Sequence, residues 1–115
     1  MAEARLKPGI WVKAQLRLCD RAGLTLTVLR RGDDDGGSIV LKILGADGRA
    51  DLLTQTTAPA GGRAWLRPLG PEPVDESEAD AYIARQGEFD PDIWALEVID
   101  RAGLYEIDGE VIEGY

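Results

Sequence analysis

The feature that most constrains the fold is a nearly uninterrupted apolar run over residues 93–99, in which Glu97 is the only charged residue. A short run of this kind is typical of a central strand buried on both faces of a sheet. With 115 residues the chain is long enough for about one domain. Residues 1–115 must therefore supply both the sheet and the elements that pack on its faces. A partly buried Glu97 needs a cationic partner, and we expect Lys42, Arg17 or Arg30 across the sheet.

The first half of the chain reads as further strands. Apolar and mostly polar residues alternate over 10–19, which predicts a half-buried strand, and a turn ending at Gly23 leads into a second strand over 24–28. A third strand is predicted at 39–44, a weaker one around 50–56, and a short one at 64–67 that Pro68 confines to an edge. Consecutive hairpins of this kind form an antiparallel meander.

One helix and a terminal hairpin complete the predicted fold. Asp75 is placed as the N-cap, with Glu78 three residues later, and Gly87 as the residue that ends the helix. Asp108-Gly109 predicts a tight turn that folds residues 105–107 back onto 110–112. The expected fold is therefore α+β: an antiparallel β-meander with one short α-helix packed on one face and a C-terminal strand and hairpin.

Composition and charge exclude several classes of function. The net charge of −8 argues against a nucleic-acid binder, because Lys and Arg supply most of the affinity for phosphate. The chain has no histidine and one cysteine, so we expect no metal site, no cofactor and no disulfide. No run is long enough to span a membrane and the N-terminus does not resemble a signal peptide, which predicts a soluble cytoplasmic protein. Cys19 is expected to be structural.

The charges are distributed unevenly. Residues 1–50 carry a balance of +3, whereas residues 51–115 carry −11. This asymmetry is either a solvated acidic surface or a means of association between copies, in which acidic surface of one copy faces basic surface of another. The predicted outer sheet face is polar and locally basic, and suits an acidic partner; its residues are Lys13, Gln15, Arg17, Thr25, Thr27 and Lys42.

Two segments carry the candidate binding residues. Arg30 and Arg31 precede three aspartates at 33–35, and an arginine pair at a strand end can clamp a carboxylate or phosphate, although pairing with the neighbouring aspartates explains it equally. Asp90 and Asp92 flank Pro91 just before Trp94, and paired carboxylates can divide acid and base roles. The predicted ligand-binding set is therefore Arg30, Arg31, Asp90, Asp92, Trp94 and Glu97, with no catalytic residue assigned.

Three segments in this order resemble a small family found mainly in alphaproteobacteria and catalogued as domain of unknown function 1491. They are residues 6–12 (Leu-Lys-Pro-Gly-Ile-Trp-Val), residues 29–33 (Leu-Arg-Arg-Gly-Asp) and residues 89–94 (Phe-Asp-Pro-Asp-Ile-Trp). The resemblance covers nearly the whole chain and implies a free-standing cytosolic protein, but no activity. If the family has a common site, it implies Arg30, Arg31, Asp33, Asp90, Asp92 and Trp94, which a role in stabilising the fold explains equally well.

The sequence favours a non-catalytic module for protein interaction or self-association, with a homodimer as one form. The alternative is a binding protein for an anionic small molecule, or a weak hydrolase, that uses the arginine pair and the aspartates. A third hypothesis is that the acidic half mimics nucleic acid. An exposed apolar patch near Trp65 or the C-terminal hairpin would favour interaction. An open pocket with Glu97 or Asp92 beside an arginine would favour a ligand.

Overall fold

The computed structural model describes residues 6–113 and has a mixed α+β fold. In chain order the elements are α1 (Pro8–Ala22), β1 (Thr25–Arg30), β2 (Ile39–Leu44), β3 (Arg49–Thr57), β4 (Arg63–Leu66), β5 (Val74–Asp75), α2 (Glu76–Phe89), β6 (Trp94–Ile99) and β7 (Glu110–Val111). The strands predicted at 24–28, 39–44, 50–56, 64–67 and 93–99 are confirmed as β1, β2, β3, β4 and β6.

The strand predicted over residues 10–19 is wrong, because this segment is helix α1. Pro8 stands in the first turn, where a missing N–H costs nothing, and Gly23 ends the helix at a φ of 74°. The buried residues Trp11, Gln15 and Cys19 are spaced by four, as on one helix face. The apolar residues of the alternating pattern do not share a buried side, since Ile10 and Leu18 are each 55% exposed.

The sheet is mixed, so the prediction of a purely antiparallel meander is wrong, although β2, β3 and β4 do pair antiparallel in succession. Its strand order is β1-β6-β2-β3-β4-β7, with β5 pairing beside β4 on β3. The late strand β6 lies between β1 and β2, antiparallel to β1 and parallel to β2. Residues 93–99 were thus rightly predicted as a central strand. The short strand β4 is not an edge, because β7 pairs with it in parallel.

The two helices cover opposite faces of the sheet, whereas the sequence predicted one helix on one face. Alternate residues of β2 point to opposite faces, so Ile39 and Leu41 pack against Trp11 of α1, while Val40 packs in the cluster that includes Ala79 of α2. Each face of the central strands therefore has its own core.

Two boundary details also differ from the prediction. Asp75 does occupy the N-cap of α2, but its side chain makes no capping hydrogen bond, and the helix continues through Gly87 to Phe89. The predicted C-terminal hairpin does not form. Instead, Asp108 accepts hydrogen bonds from two tryptophans, through Oδ2 from Trp11 Nε1 (2.7 Å) and through its carbonyl from Trp65 Nε1 (2.8 Å). These bonds hold the segment after β6 across the α1 face, where it reaches β4.

Candidate functional site

The segments singled out by the family resemblance interlock through the backbone. The N–H of Asp33 donates to the carbonyl of Asp92 (2.9 Å), and the indole N–H of Trp94 donates to the carbonyl of Asp33 (2.8 Å). Glycine is needed at this crossing, since a Cβ on Gly32 or on Gly37 would lie 2.3 or 2.2 Å from the Asp92 oxygen. These motif residues therefore join the loop after β1 to the start of β6.

The three consecutive aspartates each have a partner close by. Asp33 Oδ2 accepts from the N–H groups of Asp35 (3.2 Å) and Gly36 (2.8 Å), which closes a turn. Asp34 pairs with Arg31 at 3.1 Å, and Asp35 pairs with Lys7 at 3.4 Å. Within residues 6–113, no cluster of three or more His, Cys, Asp or Glu side chains is arranged to hold a metal ion.

The structure separates the arginine pair. A bulge at Leu29 shifts the register so that Val28 lies opposite Leu96, on the α1 face, while Arg30 lies opposite Ala95, on the α2 face. Arg30 packs on Gly87 and donates from Nη2 to the Gly87 carbonyl (3.3 Å). Arg31 instead lies over the Trp94 ring, 5.5 Å from its centroid. The two guanidinium groups therefore face different surroundings and do not form one clamp.

The two aspartates around Pro91 serve the same crossing. Asp90 Oδ1 accepts from the N–H of Asp92 (3.0 Å), while Asp92 is exposed and bonds to Asp33 through its backbone. Neither carboxylate approaches an arginine in the part of the chain that the structure describes. Ligand binding by Arg30, Arg31, Asp90, Asp92, Trp94 and Glu97 stays a prediction.

Glu97 does have the cationic partner that its position required. Lys42 lies directly opposite it on β2 and donates from Nζ to Glu97 Oε2 (2.8 Å), Glu76 Oε2 (2.6 Å) and Asp80 Oδ1 (2.8 Å). The lysine is 2% exposed. Burial lowers the pKa of Lys42, but the hydrogen bonds to the three carboxylates outweigh it and raise the pKa above its ordinary value. The Lys42 cluster thus ties β2 and β6 to α2.

A cleft of about 300 Å³, which no sequence pattern predicted, lies beside the C-terminal part of α1. It is lined by Gln15, Leu18, Cys19, Ala22, Leu24, Leu104, Tyr105 and Glu106. Tyr105 donates its hydroxyl to Gln15 Oε1 (2.8 Å). Burial and the nearby Asp100 raise the pKa of Cys19, which keeps this buried thiol protonated near neutral pH and makes it a poor nucleophile.

The most accessible binding feature is the free edge of the sheet at β1. This strand pairs with β6 on one side, and no strand among the described residues pairs with its other side. Thr25, Thr27, Val28 and Leu29 are all exposed. Residues 25–29 contain no charge, proline or glycine, although natural proteins protect long sheet edges with such residues.

A second cleft, of about 240 Å³, runs between α1 and this edge strand. We call it the α1/β1 cleft; its lining residues are Gly9, Val12, Lys13, Leu16, Val28, Arg31, Asp34 and Trp94. Leu16 and Val28 are 39% and 37% exposed. Leu29, the bulge residue of β1, is also exposed, and so is Phe89 of α2, which lies two residues after the Gly87 that Arg30 contacts. Exposed apolar side chains thus lie on β1 itself and on α1 and α2 beside it.

Trp65, around which an exposed apolar patch was considered, is fully buried in the core on the α1 face. No helix within residues 6–113 combines the length and apolar character needed to cross a membrane.

Comparison with known proteins agrees with the resemblance seen in the sequence. The model of a family described as "Protein of unknown function (DUF1491)" matches residues 6–108. A search of curated proteins found no match.

Three solved structures are similar to this chain along most of its length. A crystal structure of a DUF1491 family protein from Caulobacter crescentus CB15 is 34% identical, with a TM-score of 0.81, and the match covers 93% of this chain and 99% of that one. An NMR structure of a DUF1491 family protein from the same organism is 33% identical, with a TM-score of 0.82 and coverage of 96% and 100%. Protein Atu0922 from A. tumefaciens is 26% identical, with a TM-score of 0.72 and 90% coverage of each chain. The chain therefore belongs to the DUF1491 family of proteins of unknown function.

Proposed function

We propose that this protein is a non-catalytic interaction module that binds a strand of its partner along the edge of β1. In strand addition, the backbone of an extended segment pairs with an open sheet edge, and pockets beside the edge select its side chains. We place the module in the cytoplasm, where its single free cysteine is stable.

The observation that carries the proposal is the combination of an open edge, uncharged over residues 25–29, with exposed apolar side chains on the strand and on the helices beside it. The other outer strand, β7, has two residues, whereas β1 has six. Six residues offer several backbone hydrogen bonds to a partner, and the α1/β1 cleft offers a pocket for an apolar side chain.

The environment of the candidate polar residues supports a binding role over a catalytic one. Asp33 and Asp90 accept hydrogen bonds within their own turns, and Glu97 is bound to Lys42. Each of these carboxylates thus has a role in holding the fold together. Among residues 6–113, the exposed side of β1 has no comparable role, which supports its use by a partner.

The experiment is an affinity capture from lysate of the bacterium that encodes the chain, followed by mass spectrometry. Thr27→Lys places a charge in the middle of the edge, which is a natural means of blocking strand addition. Ala84→Lys adds the same charge at an exposed position of α2 and serves as the control. Circular dichroism checks that both variants fold.

We expect the wild-type and Ala84→Lys proteins to retain a partner at constant stoichiometry, and the Thr27→Lys protein to lose it. The native untagged copy counts as such a partner. If the folded Thr27→Lys protein captures the same proteins as the wild type, the β1 edge is not the binding surface.

A further inference from the structure

We infer that the partner at the β1 edge is a second copy of this chain, joined about a two-fold axis normal to the sheet at Thr27. This inference rests on the proposed function, because it identifies the occupant of the same edge. It follows from the self-complementarity of β1 and of the flank of α1 beside it.

The strand β1 is complementary to its own copy in an antiparallel register centred on Thr27. Residues directly opposite each other in an antiparallel pair lie on the same face of the sheet. With Thr27 opposite Thr27 of the second copy, Leu26 lies opposite Val28 of that copy, and both belong to the α1 face. The straight part of the strand before the bulge thus pairs an apolar residue with an apolar one on each side of a central Thr–Thr pair.

Helix α1 lies close enough to the edge to take part in the same contact. It packs over β1, to which it is connected through Gly23. It runs back along that strand, because Gly9 near its start bonds to Asp34 after β1, whereas Ala22 at its end lies beside Leu24 before β1. Because sheet strands are about 4.8 Å apart, pairing two β1 edges brings the two α1 helices side by side. The α1/β1 cleft shows that the flank with Lys13 and Leu16 borders the edge.

The charges on that flank match their own two-fold image. Lys13, Leu16 and Asp20 follow at spacings of three and four, so they form one stripe along α1, and all three are exposed. The two-fold axis near Leu16 brings the two leucines together and turns Lys13 of each copy toward Asp20 of the other. Neither Lys13 nor Asp20 forms an ion pair within residues 6–113, so both are available for this contact.

The experiment measures the association of the purified full-length chain by sedimentation velocity over a series of concentrations. We expect the wild type to be a monomer–dimer equilibrium. Lys13→Glu and Asp20→Lys each replace two attractive pairs per dimer with two repulsive ones, so each is expected to weaken the dimer by about tenfold. Asp20→Lys is the sharper variant, since it reduces the net charge of −8 and with it the general repulsion between copies.

Charge exchange tests the pairing directly. An equimolar mixture of the Lys13→Glu and Asp20→Lys proteins restores both pairs in the heterodimer, and the double variant restores them in the homodimer. Both should recover most of the wild-type affinity. Arg21→Glu is the matched control, because it reverses an exposed charge on α1 away from the edge-facing stripe and should change the affinity by less than about twofold.

The outcomes separate the inference from the proposed function. A wild type that remains monomeric up to about 1 mM overturns the inference, as does a dimer that Lys13→Glu and Asp20→Lys leave unchanged. If a monomeric wild type still loses a captured partner on Thr27→Lys, the edge binds another protein and the proposed function stands. If Thr27→Lys changes neither the capture nor the association, both are wrong.

Discussion

The two faces of the sheet are stabilised in different ways, although they share the same central strands. On the α1 face, three tryptophans lie in one apolar core, and each indole N–H reaches a backbone or carboxylate oxygen. On the α2 face, the core is smaller and Lys42 is buried beside it among three carboxylates. The α1 face is stabilised mainly by buried apolar surface, and the indole N–H groups within it are hydrogen-bonded. The α2 face also depends on the buried Lys42 ammonium, which needs its carboxylate partners.

The comparison explains why one helix was recognisable in the sequence and the other was not. Helix α2 has a polar outer side, and its acidic residues Glu76 and Asp80 bind Lys42. Its sequence therefore has the pattern of a surface helix, and the pattern predicted the helix.

Helix α1 buries Trp11 and the polar Gln15 but exposes the apolar Ile10, Leu16 and Leu18. The pattern of polar and apolar residues therefore does not indicate which side of the helix is buried. Of these three exposed residues, Leu16 lines the α1/β1 cleft beside the edge at which we place the partner.

Breaking the tryptophan core should have the largest effect. Trp65 is fully buried, its ring centroid lies 5.6 Å from that of Trp11, and its N–H is bound to Asp108. Trp65→Ala is expected to lower the free energy of unfolding by about 3–5 kcal/mol, measured by urea denaturation followed by circular dichroism. The neighbouring Leu66→Ala, at a residue 37% exposed, should cost less than about 1 kcal/mol. Equal losses in the two variants would show that Trp65 is not a core anchor.

Removing the buried charge should have the next largest effect. Lys42→Met keeps most of the side-chain volume but leaves Glu97 without its cation, at a cost of about 2–3 kcal/mol in the free energy of unfolding. This figure is below that of a fully buried pair because Glu76 and Asp80 are about half exposed. Glu97→Gln in the Lys42→Met background should recover part of the loss. A Lys42→Met protein as stable as the wild type would contradict the role given to the cluster.

The pH dependence of that loss sharpens the comparison. The pKa of Lys42 is raised in the folded protein, so its stabilising contribution is fully present below about pH 10.5, the ordinary lysine value, and declines at higher pH. The stability difference between the wild type and Lys42→Met should be constant from about pH 7 to 9 and shrink above about 10.5. Burial also raises the pKa of Tyr105, but Tyr105 is present in both proteins and cancels in the difference.

The smallest effect concerns a polar contact below α1. Tyr105→Phe removes the hydroxyl that donates to Gln15 Oε1, and leaves this buried acceptor without its partner. The expected cost is about 1–2 kcal/mol in the free energy of unfolding, measured by thermal or urea denaturation. Tyr82→Phe is the matched control, since the Tyr82 hydroxyl makes no hydrogen bond within the described residues, and should change stability by less than about 0.5 kcal/mol. A larger loss of unfolding free energy for Tyr82→Phe than for Tyr105→Phe would contradict a stabilising role for the Tyr105–Gln15 hydrogen bond.

Local sequence correctly predicted those parts of the fold in which the pattern of polar and apolar residues matches their burial in the structure. The apolar run around Glu97 indicated a central strand, and the need of that carboxylate for a cation pointed to Lys42 among three candidates. The segments at 29–33 and 89–94 were singled out together, and they meet in the structure through Asp33, Asp92 and Trp94. Their meeting gives these motif residues a structural role, while ligand binding, the alternative that the sequence analysis left open, stays a prediction.

The candidate site at the β1 edge could not be predicted from the sequence, because it exists only where no other strand pairs with the outer side of β1. Residues 24–28 were correctly predicted as a strand, but whether its outer side is covered depends on the position of β6, some 70 residues later in the chain. The basic outer face predicted for the sheet does not form, because Lys42 and Gln15 are buried and Lys13 and Arg17 lie on a helix.

The sequence by itself determined the acidic charge, the strands at 24–28, 39–44 and 93–99, the second helix and the family. Tertiary structure decided that residues 8–22 are a helix. The apolar residues of the alternating pattern do not share its buried face, whereas Trp11, Gln15 and Cys19 do. Trp11 is buried against Trp65 of β4 and Asp108. Tertiary structure also decided that Arg30 lies on the α2 face of the sheet and that β7 joins β4 in parallel. A one-residue bulge and a distant pairing cause these two features, and both depend on partner segments that no local pattern contains.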